Sequence, residues 1–418
     1  MILYVLIYRL AISIYTAAIR IAALFNNKAK LFINGRKGLL QHIKENLSNE
    51  SRSVIWMHCA SLGEFEQGRP VIETLHREYP AYAILITFFS PSGYEVRKDY
   101  KGADYVFYLP MDTISNAREF LDAVNPALCL FVKYEFWYFY LSNIATRNIP
   151  AILISALFTR DQEFFKWYGG LQRRMLRCFS HIFVQDKASV NLLKSIKVDK
   201  VSSSGDTRFD RVIMAAREAA DLPVAVNFSQ GHKILVAGST WKEDETFLHK
   251  AFAHTPLSWR LIIAPHEVDN EHIEEIEKLF SGNTIRWSQL NSHNMEQGNK
   301  RILLVDKIGI LLQLYRYGTV AWIGGGFGKE GVHNVLEAAV YGIPCFYGPV
   351  FHQFIEAKEL IEKGGAFVIN DPADLVSSLK EMDDSFRYHQ HANAAKEYVL
   401  SGGGATDQVM DYLKKYPF

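Results

Sequence analysis

Cysteine is scarce in this 418-residue chain: the four residues Cys59, Cys129, Cys178 and Cys345 are scattered and form no C-x-x-C. That spacing excludes a disulfide framework and a zinc site and fits a reducing compartment. The fourteen histidines show no H-E-x-x-H or similar ligand spacing, so no structural metal is expected. An excess of charge is missing too. With 46 Lys and Arg against 45 Asp and Glu, no whole-molecule field points to nucleic acid, and any basic site has to be local. Short-period repeats and low-complexity segments are absent. The length is too great for one ordinary core and suits two α/β domains.

One long apolar run is present, MILYVLIYRLAISIYTAAIRIAALF at residues 1–25, close to the length that spans a bilayer. Arg9 and Arg20 interrupt it. On a helix Arg9, Ser13, Thr16 and Arg20 line one narrow stripe. A spanning helix would have to hide both arginines, whereas a helix lying in the headgroup region keeps them wet. The expectation is therefore a shallow membrane anchor, with a true span and a helix packed on its own domain as the alternatives. The uncharged start, the break at Arg9 and the lack of an A-x-A site weigh against a cleaved signal peptide. Lys28, Lys30, Arg36 and Lys37 supply the positive charge expected next to anionic headgroups.

Beyond the run, short β-branched stretches alternate with helical patterns, the signature of parallel sheets covered on both faces. Strands are predicted at 54–58, 83–87, 105–108, 128–132, 151–154 and 181–184. A polar, helix-like stretch near 210–230 then reads as a link between domains. Further strands are predicted at 233–238, 260–264, 302–305, 319–323 and 344–347. Two doubly wound sheets facing each other would put the carboxyl ends of both strand sets along one cleft.

The stretch GGGFGKEGVHNVLEAA, residues 324–339, follows the strand at 319–323 and precedes a helix predicted over 334–341. Glycines there let the backbone approach a phosphate, and the N–H groups of a helix start favour its charge. The G-x-G-x-x-G match at 326–331 raises a dinucleotide site. Against it, the next strand ends Tyr347-Gly348-Pro349 with no acid, and Lys329 is followed by Glu330, which excludes a Walker A loop. Asn334 and Glu337 share one helix face beside the loop. They suit a ribose with its phosphate at Gly325 and Gly326, or else simply cap the helix and complement its dipole.

In order along the chain, SLGEFEQGRP (61–70), VKYEFW (132–137), GDTRFD (205–210), APHEVD (264–269), DKIGIL (306–311) and GGGFGKEGVHNVLEAAVYGIPCFYGP (324–349) resemble the 3-deoxy-D-manno-octulosonate (Kdo) transferases. The resemblance covers essentially the whole chain and includes an N-terminal membrane helix. It implies a GT-B glycosyltransferase fold: an anchor at 1–25, an acceptor-binding domain at 26–215, a linker at 216–232, and a CMP-Kdo-binding domain at 233–418 whose last helix packs back on the first domain. The implied reaction is inverting transfer of Kdo from CMP-Kdo to a lipid A precursor. The implied location is the cytoplasmic face of the inner membrane of a Gram-negative bacterium. No cofactor and no nucleic acid enter that scheme.

By the same resemblance Glu64 matches the base and Glu135 a second acid. Pro265, His266, Gly309, Ile310, Leu311, Asn334, Val335, Leu336 and Glu337 match the segments that hold CMP. Arg208 stands where the family commonly has Lys, Glu267 follows His266 where an Arg is common, and Ile310 replaces a Glu. Ser61, Gly63, Arg69 and Arg208 are candidates for the acceptor or the sugar acid. The chemistry is consistent with one carboxylate removing the acceptor proton as the nucleotide leaves. Glu135, set among aromatic residues, is a titrating group or a ligand for the acceptor sugar. Competing readings are a UDP-sugar transferase or epimerase of the same fold, a nicotinamide-dependent oxidoreductase, and an inactive nucleotide sensor.

Overall fold

Runs of β-branched and aromatic residues too short for helices become strands, and the amphipathic stretches between them become the crossover helices that parallel pairing demands. The computed structural model describes residues 2–290, 300–415 and 418. Of the expected anchor and second domain, residues 1, 291–299 and 416–417 lie outside the described residues. The chain divides into two units, one of residues 1–211 with 403–418 and one of residues 212–402. The stretch expected as a link contains two helices, Thr207–Arg217 and Pro223–Ser229, and the second unit begins at Val212.

The first unit carries a seven-stranded sheet of β1 (Ser53–Cys59), β2 (Tyr82–Phe88), β3 (Tyr105–Tyr108), β4 (Pro126–Val132), β5 (Ala151–Ala156), β6 (His181–Val184) and β7 (Val201–Ser203), in the order β3-β2-β1-β4-β5-β6-β7. Every pairing is parallel. Strand interiors are almost wholly buried, as a sheet covered on both faces requires. One face is closed partly by the last helix, Ala405–Lys415, whose Val409, Met410 and Leu413 join Ile55, Ile84, Leu128, Ile152 and Phe183. Asp210 fastens that helix at its start: its carboxylate accepts from the Gly404 and Thr406 N–H groups and the Thr406 hydroxyl.

The second unit repeats the plan with β8 (Lys233–Thr240), β9 (Trp259–Pro265), β10 (Thr284–Arg286), β11 (Ile302–Leu304), β12 (Val320–Ile323), β13 (Cys345–Tyr347) and β14 (Ala366–Val368), in the order β10-β11-β9-β8-β12-β13-β14, again parallel. The expected fold class, two doubly wound α/β domains of the GT-B kind with an apolar N-terminal helix, is borne out. In each sheet the strand order reverses beside the first strand, between β1 and β4 and between β8 and β12. Open α/β sheets bind ligands outside the carboxyl ends of their strands at such a point.

The N-terminal run is one helix, Ile2–Ala22, apolar and long enough to cross a membrane. Only a stripe of it, Val5, Tyr8, Ile12, Thr16 and Ile19, is partly covered, and none of its residues is fully buried. Arg9, Ser13 and Arg20 stay exposed, as do Ile2, Leu3, Leu6, Ile7, Leu10, Ile14 and Ile21. Val5 and Tyr8 pack against the core of the first unit. The helix is thus docked along one line while presenting apolar side chains elsewhere.

Candidate active site

Ser61 and Glu64 follow β1 and open the helix Leu62–Glu78. The Ser61 N–H donates to Glu64 Oε2 at 2.9 Å, and the Ser61 hydroxyl donates to the same oxygen. This is a capping box, in which the acid satisfies an orphan donor at the helix start. It turns Oε2 back onto Ser61, while Gly63 is exposed beside it.

Glu135 follows β4, whose end is marked by Lys133 in the left-handed region (φ 61°). It is buried, 8 % exposed, and Oε2 is held on two sides: the Trp137 indole N–H donates to it at 2.6 Å and His58 Nε2 lies at 2.9 Å. His58, at the end of β1, is fully buried, and its Nδ1 sits 2.9 Å from Thr87 Oγ1 and 3.1 Å from the Thr87 carbonyl. The Trp56 indole N–H closes the chain by donating to Thr87 Oγ1 at 2.8 Å. Glu64 and Glu135 follow the neighbouring strands β1 and β4, and the Cys59 thiol at the end of β1 is pushed well up, first by burial and then by the charges of Glu64, Glu135 and Glu66.

Two basic candidates are already engaged. Arg69 pairs with Glu73 at 2.7 Å and Glu66 at 3.8 Å on its own helix. Arg208 pairs with Asp206 at 2.7 Å.

In the second unit the glycine loop follows β12 as expected, but its helix is shorter than the sequence suggests, Leu336–Ala339 instead of 334–341. Asn334 breaks the first turn by bonding locally: its Oδ1 accepts the Leu336 N–H at 3.2 Å, and its Nδ2 donates to Glu337 Oε1 at 3.1 Å. Much of the loop backbone is used internally. The Gly324 N–H donates to Gly238 O, Gly328 to Gly325 O and His333 to Gly324 O. The Gly325 N–H donates at 2.8 Å to Asp244, a buried carboxylate that also takes the Trp241 N–H at 3.0 Å and the Trp322 indole at 3.1 Å. Burial pushes the Asp244 carboxyl up, and those donors pull it back. At Gly326 a Cβ would lie 2.5 Å from the Gly348 nitrogen, so backbone closing on backbone dictates glycine there.

Pro265 ends β9 and His266 follows it, with the His266 N–H tied to Thr240 O at the end of β8. Gly309 has φ 89°, Ile310 is buried, and Leu311 reaches the end of β8 beside Gly238. Trp241, just past β8, donates its indole N–H to His333 Nε2 at 2.9 Å with the two rings within 13° of parallel. His266 stacks on both, at 4.6 Å from each. Because an indole only donates, His333 Nε2 is bare and its proton sits on Nδ1. Burial, aided by His266, lowers the His333 pKa to about 4.

Sequence reasoning named His266 but missed Trp241, His333, Asp244, His58 and Trp137. Asp244 carried a signal, since the acidic run Glu243-Asp244-Glu245 directly after a strand marks a helix start; Trp241 carried none. His58 carried only its polarity within an apolar strand, with nothing to name its partners.

Residues 34–211 match the family model described as 3-Deoxy-D-manno-octulosonic-acid transferase (kdotransferase). The 3-deoxy-D-manno-octulosonic acid transferase of Aquifex aeolicus is 30% identical over 346 residues, covering 81% of this chain and 88% of that protein. Its counterpart from Haemophilus influenzae is 25% identical over 374 residues, 87% of each. Among solved structures, UDP-GlcNAc 2-epimerase from Neisseria meningitidis overlays with a TM-score of 0.60 at 18% identity, covering 87% of this chain and 100% of that one. Acinetobacter baumannii MurG gives 0.54 at 11% identity, covering 87% and 99%. These structural likenesses speak to the fold alone.

Proposed function

The chain belongs to the 3-deoxy-D-manno-octulosonic acid transferase family of glycosyltransferases, and on that premise we propose that it transfers Kdo from CMP-Kdo to a lipid A precursor, inverting the anomeric carbon, at the cytoplasmic face of the inner membrane. One observation carries the reading: the carboxylates of the Ser-Leu-Gly-Glu and Tyr-Glu-Phe-Trp motifs each lie just past the carboxyl end of one of the neighbouring strands β1 and β4, where such a sheet binds its ligand.

In this mechanism Glu64 takes the proton from the attacking hydroxyl of the acceptor, through Oε1 or after releasing Ser61. A single base suffices for inversion when the leaving group is stabilised. Glu135, tied at Oε2 by His58 and Trp137, orients the acceptor sugar through its other oxygen. Arg69 and Arg208 meet the acceptor phosphates or the sugar acid by exchanging a carboxylate partner for another anion. CMP lies in the second unit against Pro265, His266, the 309–311 segment and Asn334 to Glu337, with its phosphate near Gly325 and Gly326. In this reading the first unit, residues 1–211 with 403–418, serves the acceptor and the second, residues 212–402, the donor. The exposed apolar side chains of helix Ile2–Ala22 support a lipid surface as its surroundings.

The test is to incubate detergent-solubilised protein with CMP-Kdo and a tetra-acylated lipid A precursor and follow the acceptor by mass spectrometry beside Glu64→Ala. Stepwise Kdo additions with the wild type and none with the variant are expected. Unchanged acceptor with intact donor would overturn the assignment.

A further inference from the structure

The helix Tyr138–Thr146 starts directly after the Glu135–Trp137 segment, and Trp137, its extended N-cap residue, offers it no side-chain cap. A helix start leaves its first N–H groups without intrahelical partners. Here they are supplied from far along the chain. The Phe139 and Tyr140 N–H groups donate to the two oxygens of Asp112 at 3.0 and 3.1 Å, and the Tyr138 N–H to the Tyr8 hydroxyl oxygen at 3.3 Å. The Tyr8 hydroxyl in turn donates to Asp112 Oδ2 at 2.6 Å. Asp112 is 1 % exposed, so the charge it brings to the helix start depends on these few donors.

Tyr8 belongs to the N-terminal apolar helix, and its ring packs edge-on against Tyr138 and Phe139 at 5.9 and 5.8 Å. Two turns later on the same side, Tyr15 stacks at 6.2 Å on Phe89, which lies 4.5 Å from the Trp137 ring, the ring whose N–H holds Glu135. An unbroken set of contacts within the first unit thus runs from the apolar helix to the second acid. We propose that this helix does more than attach the protein to lipid: Tyr8 is a positioning residue that completes the start of helix Tyr138–Thr146 and thereby fixes the Trp137–Glu135 segment. The inference rests on the reading of Glu135 given above. It makes the catalytic segment sensitive to whether the helix is seated on its own domain.

Tyr8→Phe in the full-length protein tests it. The ring contacts and the apolar character of the helix remain, and only the shared oxygen is lost. The kcat for Kdo transfer should fall about ten-fold with the KM for CMP-Kdo unchanged, the size expected for loss of the bond to buried Asp112 together with the longer one from the Tyr138 N–H. Hydrogen exchange at residues 133–141 should quicken, while vesicle flotation stays as in the wild type and the melting temperature falls by no more than a few degrees. Tyr4→Phe, on an exposed part of the same helix, should change nothing. Tyr15→Leu, which removes the ring behind Phe89 and no hydrogen bond, should reproduce the effect in smaller measure. Wild-type kcat and exchange in Tyr8→Phe would overturn the proposal, as would a loss that tracks flotation or global melting. If the wild type transfers no Kdo, the functional reading falls, and the exchange at 133–141 still decides the positioning claim.

Discussion

Replacing Asp210 by alanine should loosen the end of the chain without detaching it. The carboxylate accepts from the Gly404 N–H at 2.5 Å, the Thr406 N–H at 2.7 Å and the Thr406 hydroxyl at 2.8 Å. Losing an N-terminal cap costs about 1 kcal/mol and stranding a buried donor about 1–3 kcal/mol, so the variant should lose about 3 kcal/mol locally. Opposing detachment is the burial of Val409, Met410 and Leu413, at 0, 2 and 1 % exposure. At about 2 kcal/mol for each side chain that burial is worth about 6 kcal/mol, twice the loss, and the helix stays docked. Native-state hydrogen exchange reads the difference directly. Amides of residues 405–415 should lose about two decades of protection, since about 1.4 kcal/mol corresponds to ten-fold. Asp210→Asn keeps one acceptor oxygen and should lose about half as much in free energy. A change in Asp210→Ala under roughly three-fold, or complete loss of protection along the helix, would refute the balance just drawn.

Gly326→Ala forces a Cβ to within 2.5 Å of the Gly348 nitrogen, backbone that cannot swing aside, and should lower the second unit's stability by at least about 2 kcal/mol in urea unfolding. His333 is held near 4, below its usual 6.5, so between those values the unfolded chain takes up a proton that the folded one does not. Its contribution is present above pH 6.5 and is lost as the pH falls toward 4, about 1–2 kcal/mol after allowance for its partial exposure; His333→Asn should flatten the pH dependence seen in melts across that window. Asp244→Ala frees the Gly325 and Trp241 N–H groups and should weaken CMP binding, measured by calorimetry, by about ten-fold through disorder of the glycine loop.

Eleven of the fourteen strands among the described residues are legible in the sequence because a strand buried on both faces must be a near-continuous apolar run. The three that are not, β7, β10 and β14, are three-residue edge strands; Val-Ser-Ser and Thr-Ile-Arg carry too little apolar patterning to stand out, and Ala-Phe-Val, though apolar, is too short a run to separate from its surroundings. Strand–loop–helix punctuation locates the glycine loop, whereas Glu64 is singled out by the resemblance of its Ser-Leu-Gly-Glu motif. What it cannot give is long-range pairing. Nothing near Asp112 in sequence announces that it starts a helix at Tyr138, and nothing near Asp210 announces Gly404. The glycines of 324–326 illustrate a subtler gap. Their pattern suggests approach to a phosphate, yet at Gly326 the neighbour that excludes a side chain is Gly348 of the same chain. His58 and Thr87 lie on interior strands, where polar residues are visible in the sequence but their partners are not.

The return of helix Ala405–Lys415 to the first unit sets an order of events during synthesis. Everything in that unit's sheet has been made by residue 203, but the side chains that close one of its faces arrive only after about 200 further residues have been added. At about 5–20 residues per second the ribosome leaves Ile55, Leu128, Ile152 and Phe183 short of their final cover for roughly 10–40 s. The second unit, continuous in sequence, can close before the first does. The nascent chain therefore completes its later half first, and a chaperone that engages it during translation should be found on the earlier one.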